Sequence, residues 1–98
     1  MNSDPFQSFA PELDQLIGQT VVVDTSGPFT YLGTLREVGP HSIVLADADV
    51  HDSRETSTTT ERYLVESRRH GVRVNRRSVM ILARRVISVS RLDDVLSY

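Results

Sequence analysis

Two segments rich in β-branched and aromatic residues are joined by only a Gly-Pro pair. They are TVVVDTS, residues 20–26, and FTYLGTLREV, residues 29–38, with Gly27 and Pro28 between them. Such residues favour strands and a Gly-Pro pair favours a turn, so we predict an antiparallel hairpin. Gly33 lies inside the second strand, where a glycine typically marks a bend or the close approach of another backbone.

Most of the chain beyond this hairpin also has strand character. SIVLADADV, residues 42–50, is apolar on both faces at its start, which indicates burial on both sides. HDSRETSTTT, residues 51–60, has little apolar content and predicts an exposed loop between the third and fourth strands. We expect extended structure to resume in ERYLVESRRHGVRVNRRSVMIL, residues 61–82, and a last strand in RRVISVSRL, residues 84–92.

A short α-helix is predicted before the strands, over residues 6–18. Four apolar residues fall at helical spacing on one narrow face: Phe9, Leu13, Leu16 and Ile17. Gly18 is suited to end the helix, which we expect to pack across one end of the strands. About five strands in a chain of 98 residues must curl to bury both sheet faces. We therefore predict one all-β domain over residues 1–98, a strongly bent five-stranded SH3-like barrel with this helix.

Composition excludes several classes of function. The chain has no Cys, which removes disulfides, thiol catalysis and Cys-ligated zinc. No apolar run approaches membrane-spanning length, and MNSDPFQSF lacks the regions of a signal peptide, so we expect a cytoplasmic protein. The sequence contains no nucleophile motif, phosphate-binding glycine loop or carboxylate pair at catalytic spacing. We expect a non-enzyme with no cofactor, small-molecule substrate or membrane partner.

The charges are distributed unevenly along the chain. Residues 1–53 carry one arginine against eight acids, a net charge of −7, whereas residues 54–98 carry ten arginines against five acids, a net charge of +5. Arginine suits pairing with carboxylate or with phosphate, and both interpretations stay open here. SRRHGVRVNRR, residues 67–77, holds five arginines and His70, and it is the best nucleic-acid patch on electrostatic grounds, although aromatic residues are not interleaved in it.

Taken in order, these segments resemble the Sm/LSm superfamily, which includes the bacterial Hfq proteins. LDQLIGQTVVV resembles the family's passage from helix to first strand, and YLGTLREV resembles the second strand of the first Sm motif. IVLADA resembles the third strand, and SVMILARRVISVS resembles the second Sm motif. The match covers roughly residues 13–50 and 78–92. The resemblance implies a Sm-like barrel that assembles into a homo-oligomeric ring and binds RNA.

The residues with which the family holds a uracil base are absent. Gly39 and Ser42 replace the family's Asp after the second strand and its Asn before the third. Leu82 and Ala83 stand at the turn where the family has Arg-Gly or Lys-Gly, and the lysine-histidine signature of Hfq is also missing. We therefore expect the ring to bind RNA with low sequence selectivity.

Four residues in two turns are the RNA-binding candidates, because the resemblance places these turns at the pore of a ring: His41, Ser42, Arg84 and Arg85. His41 could stack on a base or donate a hydrogen bond, or it could be an ordinary surface turn residue. The arginine pair could form a cationic collar that holds phosphate, or it could bond to acids of a neighbouring subunit.

Assembly is predicted through two apolar strands whose edges an open barrel would expose. The predicted subunit interface comprises Val79, Met80 and Ile81 of one subunit and Val86, Ile87 and Val89 of the next. Head-to-tail pairing of this kind closes into a ring. Two alternatives remain open: a structural ring or adaptor scaffold without RNA binding, and a monomeric SH3-like protein-interaction module.

One cluster has the composition of a metal site. Asp47, Asp49 and His51 alternate along the third strand, with Asp52 beside them. Oxygen ligands with one imidazole suit manganese or magnesium better than zinc. Acids near a strand end more commonly face solvent, so we predict no metal site.

Overall fold

A computed structural model describes residues 7–97 of the protein. The fold is built on one five-stranded antiparallel sheet. The strands are β1 (Thr20–Thr25), β2 (Phe29–Val38), β3 (Ser42–Asp52), β4 (Arg76–Leu82) and β5 (Val86–Arg91). One α-helix, α1 (Thr60–His70), lies between β3 and β4, and three short 3-10 helices span Pro11–Leu16, Ala83–Arg85 and Leu92–Asp94. The strand order is β4-β3-β2-β1-β5, which confirms a small, mostly β fold.

Apolar clusters cover both faces of the sheet, as the three consecutive buried valines of β1 require. Val21 and Val23 face the main core, whereas Val22 faces a second cluster on the opposite side. The main core contains Val21, Val23, Leu35, Ile43, Leu45, Ala48 and Ile81. The second cluster joins Val22 and Leu32 of the sheet to Leu64 of α1 and Leu92 near the C-terminal end.

The segment before β1 differs from the predicted α-helix of residues 6–18. It forms a 3-10 helix over Pro11–Leu16 only, and residue 6 lies outside the described residues. Ala10 precedes this helix and offers no capping side chain, and Pro11 lacks the N–H that a longer helix would use. Leu13 and Leu16 still pack against the main core, so the predicted position across the strands is retained.

β2 and β3 approach each other closely at Gly33, as the sequence predicted. A Cβ atom on Gly33 would lie 3.0 Å from the carbonyl oxygen of Ala46 and 3.1 Å from Cβ of Ala48. The β2–β3 ladder also shifts register twice, and such bulges increase the local twist and bend of a sheet. The bend does not close the sheet, because β4 and β5 form no ladder with each other within residues 7–97. Closure into a barrel within one chain is therefore not observed.

The prediction of extended structure after residue 60 is wrong for the first part of that segment, which forms α1. Thr59 caps the helix, since its Oγ1 accepts a hydrogen bond of 3.2 Å from the N–H of Arg62. Gly71 ends it with φ of 91°, a conformation that glycine adopts without a Cβ clash. Because β3 continues to Asp52 and α1 begins at Thr60, the loop predicted for residues 51–60 is reduced to residues 53–59.

None of the helices in the described part of the chain is long and apolar enough to cross a membrane.

Candidate functional sites

The four residues predicted to bind RNA lie together at one end of the β3–β4 pair. Ala83 donates its backbone N–H to the carbonyl oxygen of His41 at 2.8 Å, and Ser42 pairs with Leu82 at the end of the ladder. His41 is exposed, as are Arg84 and Arg85 in the 3-10 helix between β4 and β5. The two turns therefore form one polar surface.

Pairing with acids of the same chain accounts for few of the arginines. In the described part of the chain, arginine ion pairs join Arg54 to Asp52 at 2.9 Å and Arg91 to Asp94 at 2.8 Å. In each pair the hydrogen bond from the guanidinium holds the pKa of the aspartate below its usual value. Neither Arg84 nor Arg85 forms an ion pair with any residue in the range 7–97, so both guanidinium groups are available to another molecule.

The residues predicted at the subunit interface fall on the two outer strands of the sheet. Met80 on β4 is 64% exposed and Ile87 on β5 is 69% exposed, which is unusual for large apolar side chains. Val79, Val86 and Val89 are half-buried against the main core. Ile81 is different: its side chain is 4% exposed and belongs to the core, so only its backbone remains for an interface.

A cavity of about 420 Å³ borders β4. It lies between this strand and the β1–β2 turn, and it is lined by Pro28, Phe29, Tyr31, Met80, Leu82 and Arg85. Exposed apolar side chains of β4 therefore border a space large enough to take further side chains.

A larger cavity, which the sequence did not predict, lies between β3 and α1. This β3–α1 cavity has a volume of about 790 Å³ and is lined by Asp49, His51, Tyr63, Ser67, Arg73 and Asn75, among others. Asp49, His51 and Ser67 are 8%, 9% and 7% exposed, and they are three of the four buried polar residues in the described chain. The cavity exists because α1 adds a wall that the sheet alone lacks.

Hydrogen bonds to the carboxylate of Asp49 hold the β3–α1 cavity together. Tyr63 of α1 donates its hydroxyl to Oδ2 at 2.6 Å, and Asn75 donates its side-chain amide to Oδ1 at 2.9 Å. Burial, and next the hydrogen bond to Asp49, raise the pKa of Tyr63 far above its ordinary value, so the phenol remains a donor. Asn75 also accepts the N–H of Val50 at 3.3 Å, which fixes the segment after α1 to β3.

His51 has an unmet hydrogen-bonding group beside this network. Its ring stacks on that of Tyr63, with centroids 4.1 Å apart and an interplanar angle of 13°. Its Nε2 is buried and has no hydrogen-bond partner among residues 7–97. An unsatisfied buried polar atom costs about 1–3 kcal/mol.

The acidic cluster does not form a metal site in the arrangement that the sequence alternation suggested. Asp47 sits at a bulge with φ of 49° and is exposed, whereas Asp49 and His51 are buried under α1. Among the residues that the structure describes, no group of three or more His, Cys, Asp or Glu side chains is placed to hold a metal ion.

Three residues of the β3–α1 cavity were missed because α1 was missed: Tyr63, Ser67 and Asn75. The signals of a helix were nevertheless present in the sequence. A threonine cap is followed by Glu61 in the first turn, by three basic residues in the last turn and by Gly71. With α1 in place, Tyr63 and Ser67 fall on one helix face at i and i+4.

Models of known protein families and curated protein sequences were compared with the chain, and neither comparison gave a match.

Proposed function

We propose that the chain is an Sm-like subunit that forms a homo-oligomeric ring and binds RNA at its arginine turns with little sequence selectivity. The observation that carries the proposal is the position of β4 and β5. They form opposite edges of one five-stranded sheet, and each has a hydrogen-bonded neighbour on one side only within the described chain. The resemblance to Sm motifs in the sequence supports the same arrangement.

Two free edges of one sheet can satisfy each other between copies of the chain. An edge strand presents unpaired N–H and C=O groups that favour pairing with another strand. β4 and β5 have similar lengths, seven and six residues, so pairing β4 of one subunit with β5 of the next would continue the sheet. This contact is head-to-tail, and a bent subunit repeated by such a contact closes into a ring.

Apolar side chains add to the backbone pairing. Met80 and Ile87 are exposed on the two edges, and Leu82 is also exposed at the end of β4. Their burial between subunits stabilises the contact by roughly 25 cal/mol per Å² of apolar surface. The cavity of about 420 Å³ beside β4 gives room for side chains from the neighbour.

Aspartate substitutions on the edges test the assembly. Met80→Asp and Ile87→Asp each place a charge in the proposed contact, and neither side chain is needed for the core. We expect the unchanged protein to have a mass several-fold above 11.0 kDa by light scattering and each variant to be a folded monomer. Leu96→Asp is the matched control, because Leu96 is 66% exposed but lies outside the strands, and this variant should assemble normally. An unchanged protein that is monomeric at micromolar concentration would refute the ring.

RNA binding is attributed to Arg84 and Arg85. In a ring these exposed residues would recur in every subunit and form a collar of positive charge beside the His41 turn. Binding of this kind comes from phosphate neutralisation and counterion release, so it weakens steeply with salt and distinguishes sequences poorly. The absence of the family's base-reading residues at Gly39 and Ser42 agrees with low selectivity.

Fluorescence anisotropy with oligo-U and oligo-A over a salt series tests the RNA part. We expect similar affinities for the two oligomers, and we expect loss of binding when Arg84 and Arg85 are both replaced by alanine. A variant with Arg36→Ala and Arg62→Ala removes the same charge from other exposed positions and should bind nearly as well as the unchanged protein. Salt-tolerant, U-selective binding would contradict the proposal, and no binding at low salt would favour a scaffold without RNA.

A further inference from the structure

The β3–α1 cavity is lined by buried polar side chains, which a folded protein rarely buries without hydrogen bonds. Asp49, His51 and Ser67 line it at less than one-tenth exposure, and Nε2 of His51 is left without a hydrogen bond in the part of the chain that is described. Burying a polar group costs free energy unless it is hydrogen-bonded. These groups are therefore arranged as a binding surface would be, and they differ from the apolar second cluster that also holds α1 to the sheet.

The inner wall of the cavity can both accept and donate hydrogen bonds. Each carboxylate oxygen of Asp49 accepts one bond within the chain and has a further lone pair. The amide nitrogen of Asn75 donates one hydrogen to Asp49 and has a second. A flat heterocycle with ring N–H, amino and carbonyl groups matches this set.

The cavity is lined by one arginine, Arg73, that has no ion pair among the described residues. His70 also lines it, and Arg73 belongs to residues 67–77, which hold five arginines and no acid. None of these five arginines forms an ion pair within residues 7–97. Glu66 of α1 also lines the cavity, and its carboxylate lies 3.2 Å from Nε2 of His70. An anionic group at Arg73 would be bound through charge-assisted hydrogen bonds.

We propose that the β3–α1 cavity binds one nucleotide unit, with the base against Asp49 and Asn75 and the phosphate at Arg73. The volume of about 790 Å³ lies within the range of small-molecule sites. The unit is either a free nucleoside monophosphate or an unstacked nucleotide of an RNA strand, since both offer the same base and phosphate.

This site is separate from the arginine turns and does not depend on the ring. Asp49 lies about 20 Å from Ser42 along β3, at the ~3.3 Å rise per residue of a strand. Failure of nucleotide binding would therefore leave the proposed assembly and its Arg84–Arg85 collar untouched, and the reverse also holds.

Calorimetric titration of the full chain tests the site with ligands that differ by one part. The probes are the four ribonucleoside 5′-monophosphates, the four nucleosides, which lack phosphate, and ribose 5-phosphate, which lacks the base. We expect at least one monophosphate to bind about tenfold or more tightly than its nucleoside and than ribose 5-phosphate. Equal affinity for ribose 5-phosphate, or no binding of any monophosphate at millimolar concentration, would overturn the proposal.

Variants locate the binding. Arg73→Ala should reduce the affinity for the monophosphate to that for the nucleoside, because it removes the proposed phosphate contact. Arg73 is exposed, so the substitution should leave the fold intact. Arg36→Ala is the matched control, because Arg36 is exposed and does not line the cavity, and this variant should bind the monophosphate unchanged. Loss of binding in the double variant of Arg84→Ala and Arg85→Ala, with Arg73→Ala unaffected, would place the nucleotide at the turns and refute the site.

The imidazole nitrogens of His51 give a second readout, which does not depend on the affinity measurements. Their NMR signals, assigned with His41→Gln and His70→Gln, should shift with the monophosphate and not with ribose 5-phosphate. A short single-stranded oligonucleotide is the second arm. If it shifts the same signals at lower concentration than the monophosphate, an RNA strand supplies the nucleotide, and if only the monophosphate shifts them, the ligand is free. Unchanged His51 signals at saturation would contradict the proposed contact.

Discussion

Replacing Gly33 by alanine tests the close approach of β2 and β3 that bends the sheet. The new Cβ would lie 3.0 Å from the carbonyl oxygen of Ala46, 3.1 Å from Cβ of Ala48 and 3.2 Å from its Cα. Each of these atoms is fixed by the backbone of β3, so the clash cannot be relieved by a side-chain rotation. The two strands must separate locally, and the ladder on either side must adjust.

The expected magnitude combines two opposing effects. Overpacking of a well-packed site costs about 1–3 kcal/mol. Restricting the unfolded chain by exchanging glycine for alanine offsets about 0.4–1 kcal/mol of this. The net loss in the free energy of unfolding is then centred on about 1.3 kcal/mol, or a fall in Tm of roughly 5–10 °C at about 4–8 °C per kcal/mol for a domain of this size.

Thermal and urea unfolding, followed by circular dichroism at one protein concentration, measure the effect. Gly27→Ala is the matched control, because a Cβ on Gly27 has no atom within 4 Å and its φ is not positive. This control should be as stable as the unchanged protein or slightly more stable. A Gly33→Ala protein with unchanged stability, or a Gly27→Ala protein that loses as much, would refute the close approach.

The remaining predictions concern Tyr63. Tyr63→Phe removes the hydroxyl that donates to Asp49 at 2.6 Å. In urea titrations this variant should lose about 1–3 kcal/mol of the free energy of unfolding. A variant as stable as the unchanged protein would mean that the hydrogen bond does not contribute to stability. Because burial raises the pKa of Tyr63 in the folded state, the unfolded phenol releases its proton first, at about pH 10. The stability of the unchanged protein should therefore fall as pH rises above about 10, and Tyr63→Phe should show a shallower fall. Parallel curves for the two proteins would contradict this assignment.

Local sequence patterns were sufficient for the strands of the sheet. The bounds of β2 are as predicted, and the close approach at Gly33 was expected because a glycine inside a strand pattern indicates one. The long segment after residue 60 was misread because Tyr63, Leu64 and Val65 have strand propensity as well as a place on a helix face. The capping residues at its two ends, Thr59 and Gly71, identify this segment as a helix.

The candidate site was less accessible to sequence reasoning. Asp49 and His51 stood out only in their alternation with Asp47, for which a metal site was considered and not predicted. The bulge that separates Asp47 from them leaves no mark in an alternating pattern. The cavity itself is made by residues of β3, α1 and the segment after α1, which meet only in the folded chain. The edge strands illustrate the same limit, since Met80 is exposed and Ile81 is buried although both side chains are apolar.

Head-to-tail pairing of β4 with β5 is tested most directly by the native mass of an equimolar mixture of Met80→Asp and Ile87→Asp. A Met80→Asp subunit keeps an intact β5 edge, and an Ile87→Asp subunit keeps an intact β4 edge. These two intact edges can pair with each other, whereas the two substituted edges cannot. We predict that each variant alone has the 11.0 kDa mass of one chain and that the mixture gives a heterodimer of about 22 kDa, twice that mass. A mixture that remains monomeric, or a single variant that dimerises by itself, would contradict the pairing of β4 with β5 between subunits.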